Sequence, residues 1–193
     1  MHRTLRFGRR RKGRAGFTAI ELTVVVAILA ILAALAIPGL RDILDRYRVR
    51  RAVDEFSASL HLARTEAIKR GMGVVVARQM PEGCTGSTEN GRWDCGWIVF
   101  VDRNANNLRE ADELLLQQLP PAAGVAIKRP TSGTPSNALN SLDVSRWGRL
   151  PILHMSFRPA HAADADDDTH VPGQRVLCSA GGGRLRWAET AKC

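Results

Sequence analysis

Gly16-Phe17-Thr18-Ala19-Ile20-Glu21-Leu22 opens a run that continues to Leu40 with no charged side chain after Glu21. Within Leu22–Leu40 only Thr23, Pro38 and Gly39 are not plainly apolar. As a helix that stretch is roughly 28 Å long, close to the roughly 30 Å hydrocarbon core of a bilayer. A helix buried in a soluble core is normally apolar along one stripe, whereas this one is apolar all round. It reads as a membrane-spanning helix. A secretory signal peptide would instead carry a shorter apolar region followed by a small-residue cleavage site. Here the small residue, Gly16, comes before the apolar run.

Upstream, residues 1–16 hold Arg3, Arg6, Arg9, Arg10, Arg11, Lys12 and Arg14 and no acid. The whole chain of 193 residues has 28 basic and 19 acidic residues and a net charge of +9. Removing those seven leaves 21 against 19, or +2, so the basicity belongs mostly to the leader and does not argue for a nucleic-acid partner. Aromatic residues are 5% of the chain, which disfavours a long stacking surface. A basic leader favours retention on the cytoplasmic side, although Arg41, Arg46, Arg48, Arg50 and Arg51 flank the other end. Glu21 stands out, because a carboxylate in a membrane helix costs several kcal/mol unless it is paired or lies among headgroups.

Downstream, Leu40, Leu44, Tyr47, Val49, Val53, Phe56, Leu60, Ala63 and Ala67 recur every three or four residues and predict a continuing amphipathic helix. Gly71 is its expected stop, and Pro38 is expected to kink it near the membrane boundary. After Gly71 short apolar runs alternate with Gly, Pro, Asn and Ser clusters. They predict strands over 73–78, 96–101, 113–119, 125–129, 152–157, 175–178 and 184–188, with long loops over 130–141 and 159–173. The expected fold is α+β: a long N-terminal helix, membrane-spanning in its first half, packed on an antiparallel β-sheet head.

The Gly16–Leu22 segment, with the apolar run and Pro38, resembles the class III signal of type IV pilins and type II secretion pseudopilins. The resemblance implies cleavage by prepilin peptidase between Gly16 and Phe17 and N-methylation of Phe17. It also implies that Glu21 compensates the α-ammonium of a neighbouring subunit's first residue during assembly. The helix end, Leu60-His61-Leu62-Ala63-Arg64-Thr65-Glu66-Ala67-Ile68-Lys69-Arg70, resembles the LxxARSEAIRR pattern of the GspH/FimT group. Cys84, Cys95 and Gly96-Trp97-Ile98-Val99-Phe100-Val101-Asp102 resemble that group's strand-and-turn block. The implied organisation is a cleaved leader at 1–16, a transmembrane half-helix at 17–40, an amphipathic half at 41–70 and a periplasmic head at 71–193.

All four cysteines, Cys84, Cys95, Cys178 and Cys193, follow the apolar run, which fits two disulfides in an oxidising compartment. Three pairings are open. Local pairing, 84 with 95 and 178 with 193, is the expectation because each closes a short loop. A zinc site would need close Cys-x-x-Cys pairs, and there are none. Asp102, Asn104, Asn106 and Glu113 match oxygen positions 1, 3, 5 and 12 of a calcium loop, with Asn107 where Gly is expected. Their flanks read as strands, so a polar turn is the preferred reading. His161, Asp164, Asp166, Asp167, Asp168 and His170 lie in an Ala/Asp-rich stretch that reads as a solvated loop, and His61 and His154 are isolated. Nothing resembles a nucleophile elbow, a phosphate loop or an acid/base pair, so no catalytic residue, cofactor or metal site is assigned.

In Gly183-Arg184-Leu185-Arg186-Trp187 the two-residue period of a strand puts Arg184 and Arg186 on one face and Leu185 and Trp187 on the other, available for packing. With Lys192 the arginines form a candidate phosphate-binding set. The segment resembles the GRxR motif of FimT minor pilins, which implies DNA as a partner. The competing reading is a charged edge strand protected against pairing. The sequence as a whole predicts a non-enzymatic minor pilin in the inner membrane, single-pass, with a periplasmic head. It would assemble with other pilins into a pilus, or serve as the H-type pseudopilin of type II secretion. A membrane-tethered periplasmic enzyme is the third reading and has no catalytic support.

Overall fold

The computed structural model describes residues 16–80, 84, 89–130, 134, 138–166, 169–179, 183–189 and 193, without the side chains of 36–38. The basic leader, Asp167, Asp168 and Lys192 lie outside the described residues, as does the side chain of Pro38, where the kink was expected. The chain divides into two compact units, Met1–Leu40 and Arg41–Cys193. One helix, α1 (Ala19–Arg70), contributes to both.

In the first unit Thr18 caps α1: its Oγ1 accepts from the Glu21 amide at 3.3 Å, and its carbonyl accepts from Leu22 at 3.2 Å. Thr18-Ala19-Ile20-Glu21 is thus a capping-box sequence, with the carboxylate in the first turn where the helix dipole favours it. The apolar side chains from Ile20 to Leu35 are exposed. Among the described residues no single helix is long and apolar enough to cross a membrane; Ala19–Leu35 and Gly39–Arg70 are so only when taken together.

In the second unit the helix buries Val49, Val53, Phe56, Leu60, Ala63 and Ala67, the expected stripe from Val49 onward. Leu44 and Tyr47, expected in that stripe, remain exposed, as does Leu40 at the end of the first unit. α1 ends where Gly71 takes φ +65° and its amide bonds the carbonyl of Ala67 at 2.9 Å.

The strands are β1 (Gly73–Arg78), β2 (Trp97–Asp102), β3 (Leu115–Leu119), β4 (Val125–Lys128), β5 (Ser141–Val144), β6 (Leu153–Pro159), β7 (Arg175–Ser179) and β8 (Leu185–Ala188). They form two antiparallel four-stranded sheets, in the orders β3-β2-β1-β5 and β4-β6-β7-β8. Seven strands fall where the sequence put them. β5 begins at Ser141, the last residue of what read as a loop, and was not expected: it is four residues long, and only Leu142 and Val144 mark its buried face. Phe56 joins the helix to both sheets, meeting Trp93, Trp97 and Phe157 edge-on at 5.7, 5.1 and 5.7 Å. The Trp97 indole donates to Ser59 Oγ at 2.9 Å, which gives a buried N–H its partner.

Between β2 and β3, Asp102 accepts from the amides of Ala105 (2.8 Å), Asn106 (3.3 Å) and Asn107 (2.9 Å). Glu113 accepts from those of Arg103 (2.9 Å) and Glu110 (3.1 Å). Both carboxylates are buried and engaged by the turn's own backbone. The stretch after β6 is ordered by a cation, since buried Arg158 donates to the carbonyls of Ala165 (2.6 Å) and Asp166 (3.1 Å) and to Gln174 Oε1 (2.9 Å).

Candidate functional site

The C-terminal basic segment is the free edge of the second sheet. Among the described residues β8 pairs only with β7, in the register Val176↔Ala188, Leu177↔Trp187, Cys178↔Arg186 and Ser179↔Leu185. Arg184 precedes the strand and Arg186 lies within it, and both are exposed. Arg186 stands opposite Cys178, which is disulfide-bonded to Cys193 with a Cα separation of 5.8 Å. The staple brings the chain end back past the strand, and Arg186 Nη2 donates to the carbonyl of Cys193 at 3.1 Å. At the other end of β8, Arg64 of α1 donates to the carbonyl of Gly183 at 3.3 Å. The segment is therefore held at both ends, with its two guanidinium groups facing water. The second disulfide, Cys84–Cys95, has a Cα separation of 5.9 Å and lies in the first half of the head.

The opposite face of β8 differs in part from the expectation. Leu185 is half-buried against the core, but Trp187 is 56% exposed. Directly opposite residues of an antiparallel pair share a face, so Trp187 points the same way as Leu177 and, diagonally, Arg175. At the sheet edge the ring is covered by the Arg175 guanidinium, 4.1 Å from its centroid, instead of by apolar side chains. Sequence alternation gives the face of a residue but not how far the neighbouring layer reaches over it.

Phe17, in the segment before α1, is 82% exposed, and Gly16 beside it is exposed. Glu21 is exposed in the first turn of α1. His161 lies 3.6 Å from Asp45, whereas Asp164 pairs with Arg92 at 3.6 Å, so these two members of the acidic stretch diverge. Among the described residues no group of three or more His, Cys, Asp or Glu side chains is placed to hold a metal ion. Sequence reasoning missed the buried cations Arg129 and Arg158. Arg129 donates to the carbonyls of Ala138, Ser141 and Ile152, and burial lowers its pKa from the ordinary value. No periodic signal marks a lone arginine in a strand, like Arg158, or just after one, like Arg129, as buried.

A family model described as type II transport protein GspH matches residues 52–184, from the buried half of α1 through β7 to Arg184, just before β8. A fimbrial protein of Pseudomonas aeruginosa is 52% identical over 64 residues, which are 33% of this chain and 41% of that protein. The chain thus matches less than half the length of that relative. Among solved structures, the type IV minor pilin FimU of Pseudomonas aeruginosa has a TM-score of 0.49 at 17% identity, covering 72% of this chain and 91% of that one. The minor pseudopilin EpsH of the Vibrio cholerae type 2 secretion system has a TM-score of 0.47 at 15% identity, covering 73% and 96%.

Proposed function

Since this chain belongs to the GspH family, we propose that it is a membrane-anchored, non-enzymatic minor pilin that assembles with other pilins into a type IV pilus. The family match over 52–184, from the buried half of α1 to the residue before β8, carries the pilin-type reading, and the two disulfides with the exposed Arg184 and Arg186 favour the pilus. In this reading prepilin peptidase cleaves between Gly16 and Phe17, and the new terminus at Phe17 is N-methylated. The apolar half of α1 holds the chain in the inner membrane as a single pass, with the head in the periplasm. Two disulfides suit that oxidising compartment. Glu21, in the first turn of α1, serves in the filament as partner of a neighbour's α-ammonium, which removes the cost of an unpaired carboxylate in lipid.

At the outer end of the molecule's chemistry, Arg184 and Arg186, with Lys192, contact DNA through its phosphates. Support comes from the exposure of both arginines on a segment pinned at both ends. The description of the matching family favours a second reading, the H-type pseudopilin of a type II secretion system. There the same head meets other pseudopilins or exported protein.

The assembly reading is tested with Glu21→Ala in the full chain. The variant is expected to stay in the membrane fraction and to be absent from sheared filaments. Incorporation at the wild-type level would refute the role of Glu21.

A further inference from the structure

Within the second unit a groove of about 550 Å³ lies between α1 and the β7–β8 end of the second sheet. Its α1 wall carries Arg46 and Arg50, one helical turn apart, beside Ile43 and Tyr47. Its sheet wall carries Arg175 and Glu189, and His170 adds a third side. Three guanidinium groups thus face one carboxylate, a local balance of +2 with the histidine neutral. Nothing in the proposed DNA contact uses Arg46, Arg50 or Arg175.

Two of the three cations, Arg46 and Arg175, are pre-positioned. Gly173 has φ +80°, and a Cβ there would sit 3.2 Å from Arg46 Cγ, so the loop before β7 presses on the aliphatic stem of Arg46. Only glycine combines that backbone conformation with so close an approach. Arg175 is laid on the Trp187 ring at 4.1 Å and lies 3.6 Å from Glu189 Oε1, with its side chain 14% exposed. Among the described residues neither Arg46 nor Arg50 makes an ion pair. Guanidinium forks set in a concavity match the oxygens of a phosphate diester better than isolated surface charges do. Ile43 and Tyr47, 64% and 65% exposed, supply apolar surface beside the charges.

Arg46 follows the uncharged stretch Leu22–Leu40 by six residues, about 9 Å of helix. We infer that this groove binds the phosphodiester of an anionic phospholipid headgroup. Arg46 and Arg50 hold the phosphate, Arg175 sets the field behind it, and Ile43 and Tyr47 lie against the glyceryl portion. The inference rests on the membrane anchoring proposed above. Duplex DNA is the weaker occupant because Arg175 is recessed.

The test uses the full chain in mild-detergent micelles. Native mass spectrometry measures retention of phosphatidylglycerol and of phosphatidylcholine, and calorimetry follows inorganic phosphate. One phosphatidylglycerol is expected to be retained, about tenfold more tightly than phosphatidylcholine, with inorganic phosphate a weak competitor. Each guanidinium removed is expected to cost about tenfold, in R46Q, R50Q and the double variant, with the melting temperature unchanged. Three results would overturn the inference: equal retention by wild type and R46Q/R50Q, inorganic phosphate competing as well as the lipid, or the double variant losing duplex DNA instead of lipid. Alkaline carbonate extraction separates the two claims. A chain integral to the membrane that retains no phosphatidylglycerol overturns the groove alone. A chain extracted by carbonate that still retains the lipid in micelles overturns the anchoring alone.

Discussion

Replacing Arg184 and Arg186 together by alanine probes the proposed DNA contact where the structure makes a quantitative statement. Both side chains are exposed, and Arg186 commits one N–H to the Cys193 carbonyl, leaving the rest of its fork for a phosphate. Arg175, on the other face of this edge, is spent on the Trp187 ring, and Arg64 on the Gly183 carbonyl. Two phosphate contacts are therefore at stake. Each contact to duplex DNA contributes about 0.9 to the slope of log affinity against log salt, so the double variant should lower the slope by about 1.8. Between 50 and 200 mM salt, wild type should lose about 12-fold more affinity than the variant. The assay is fluorescence anisotropy of a labelled duplex titrated with the full chain in micelles at several salt concentrations. Arg184→Lys with Arg186→Lys keeps the charge and should keep the slope. An alanine variant with the wild-type slope and affinity, and an unchanged melting curve, would remove these residues from the interface.

Two further predictions concern what holds that edge in place. Replacing Cys178 and Cys193 by serine opens a loop with a sequence separation of 15 and should cost about 3 kcal/mol, measured by urea denaturation. Because β8 has one partner strand, hydrogen exchange should accelerate over 185–188 well before β1 and β2, and uniform acceleration would contradict a local staple. Phe56→Ala should cost about 3–5 kcal/mol, toward the upper end because burial, the cavity and three edge-on ring contacts are lost together. Phe56→Leu should recover most of the burial term. A loss below about 1 kcal/mol in the alanine variant would mean that Phe56 is not the junction between helix and sheets.

Much of the architecture was legible because local chemistry decides it. The uncharged run to Leu40, the three-to-four spacing of Val49 to Ala67 and the Gly71 stop specify one long helix whatever packs against it. Alternating short runs likewise located seven strands, while β5 escaped because four residues with two apolar positions give too short a period to detect. The short spacings of the cysteines pointed to the two pairs that the structure contains.

What remained for tertiary structure depends on partners distant in sequence. Periodicity assigns Trp187 to a face, but only the sheet order shows that the face lies at an edge, where Arg175 covers the ring. The composition counts Arg46, Arg50 and Arg175 as ordinary surface charges, and only the approach of the loop at Gly173 to α1 gathers them into one groove. Arg158 likewise reads as exposed until the loop it organises closes over it. Helix and strand propensities act over a few residues and are written into the chain, whereas burial and the convergence of charge are set by which layers meet and where they end.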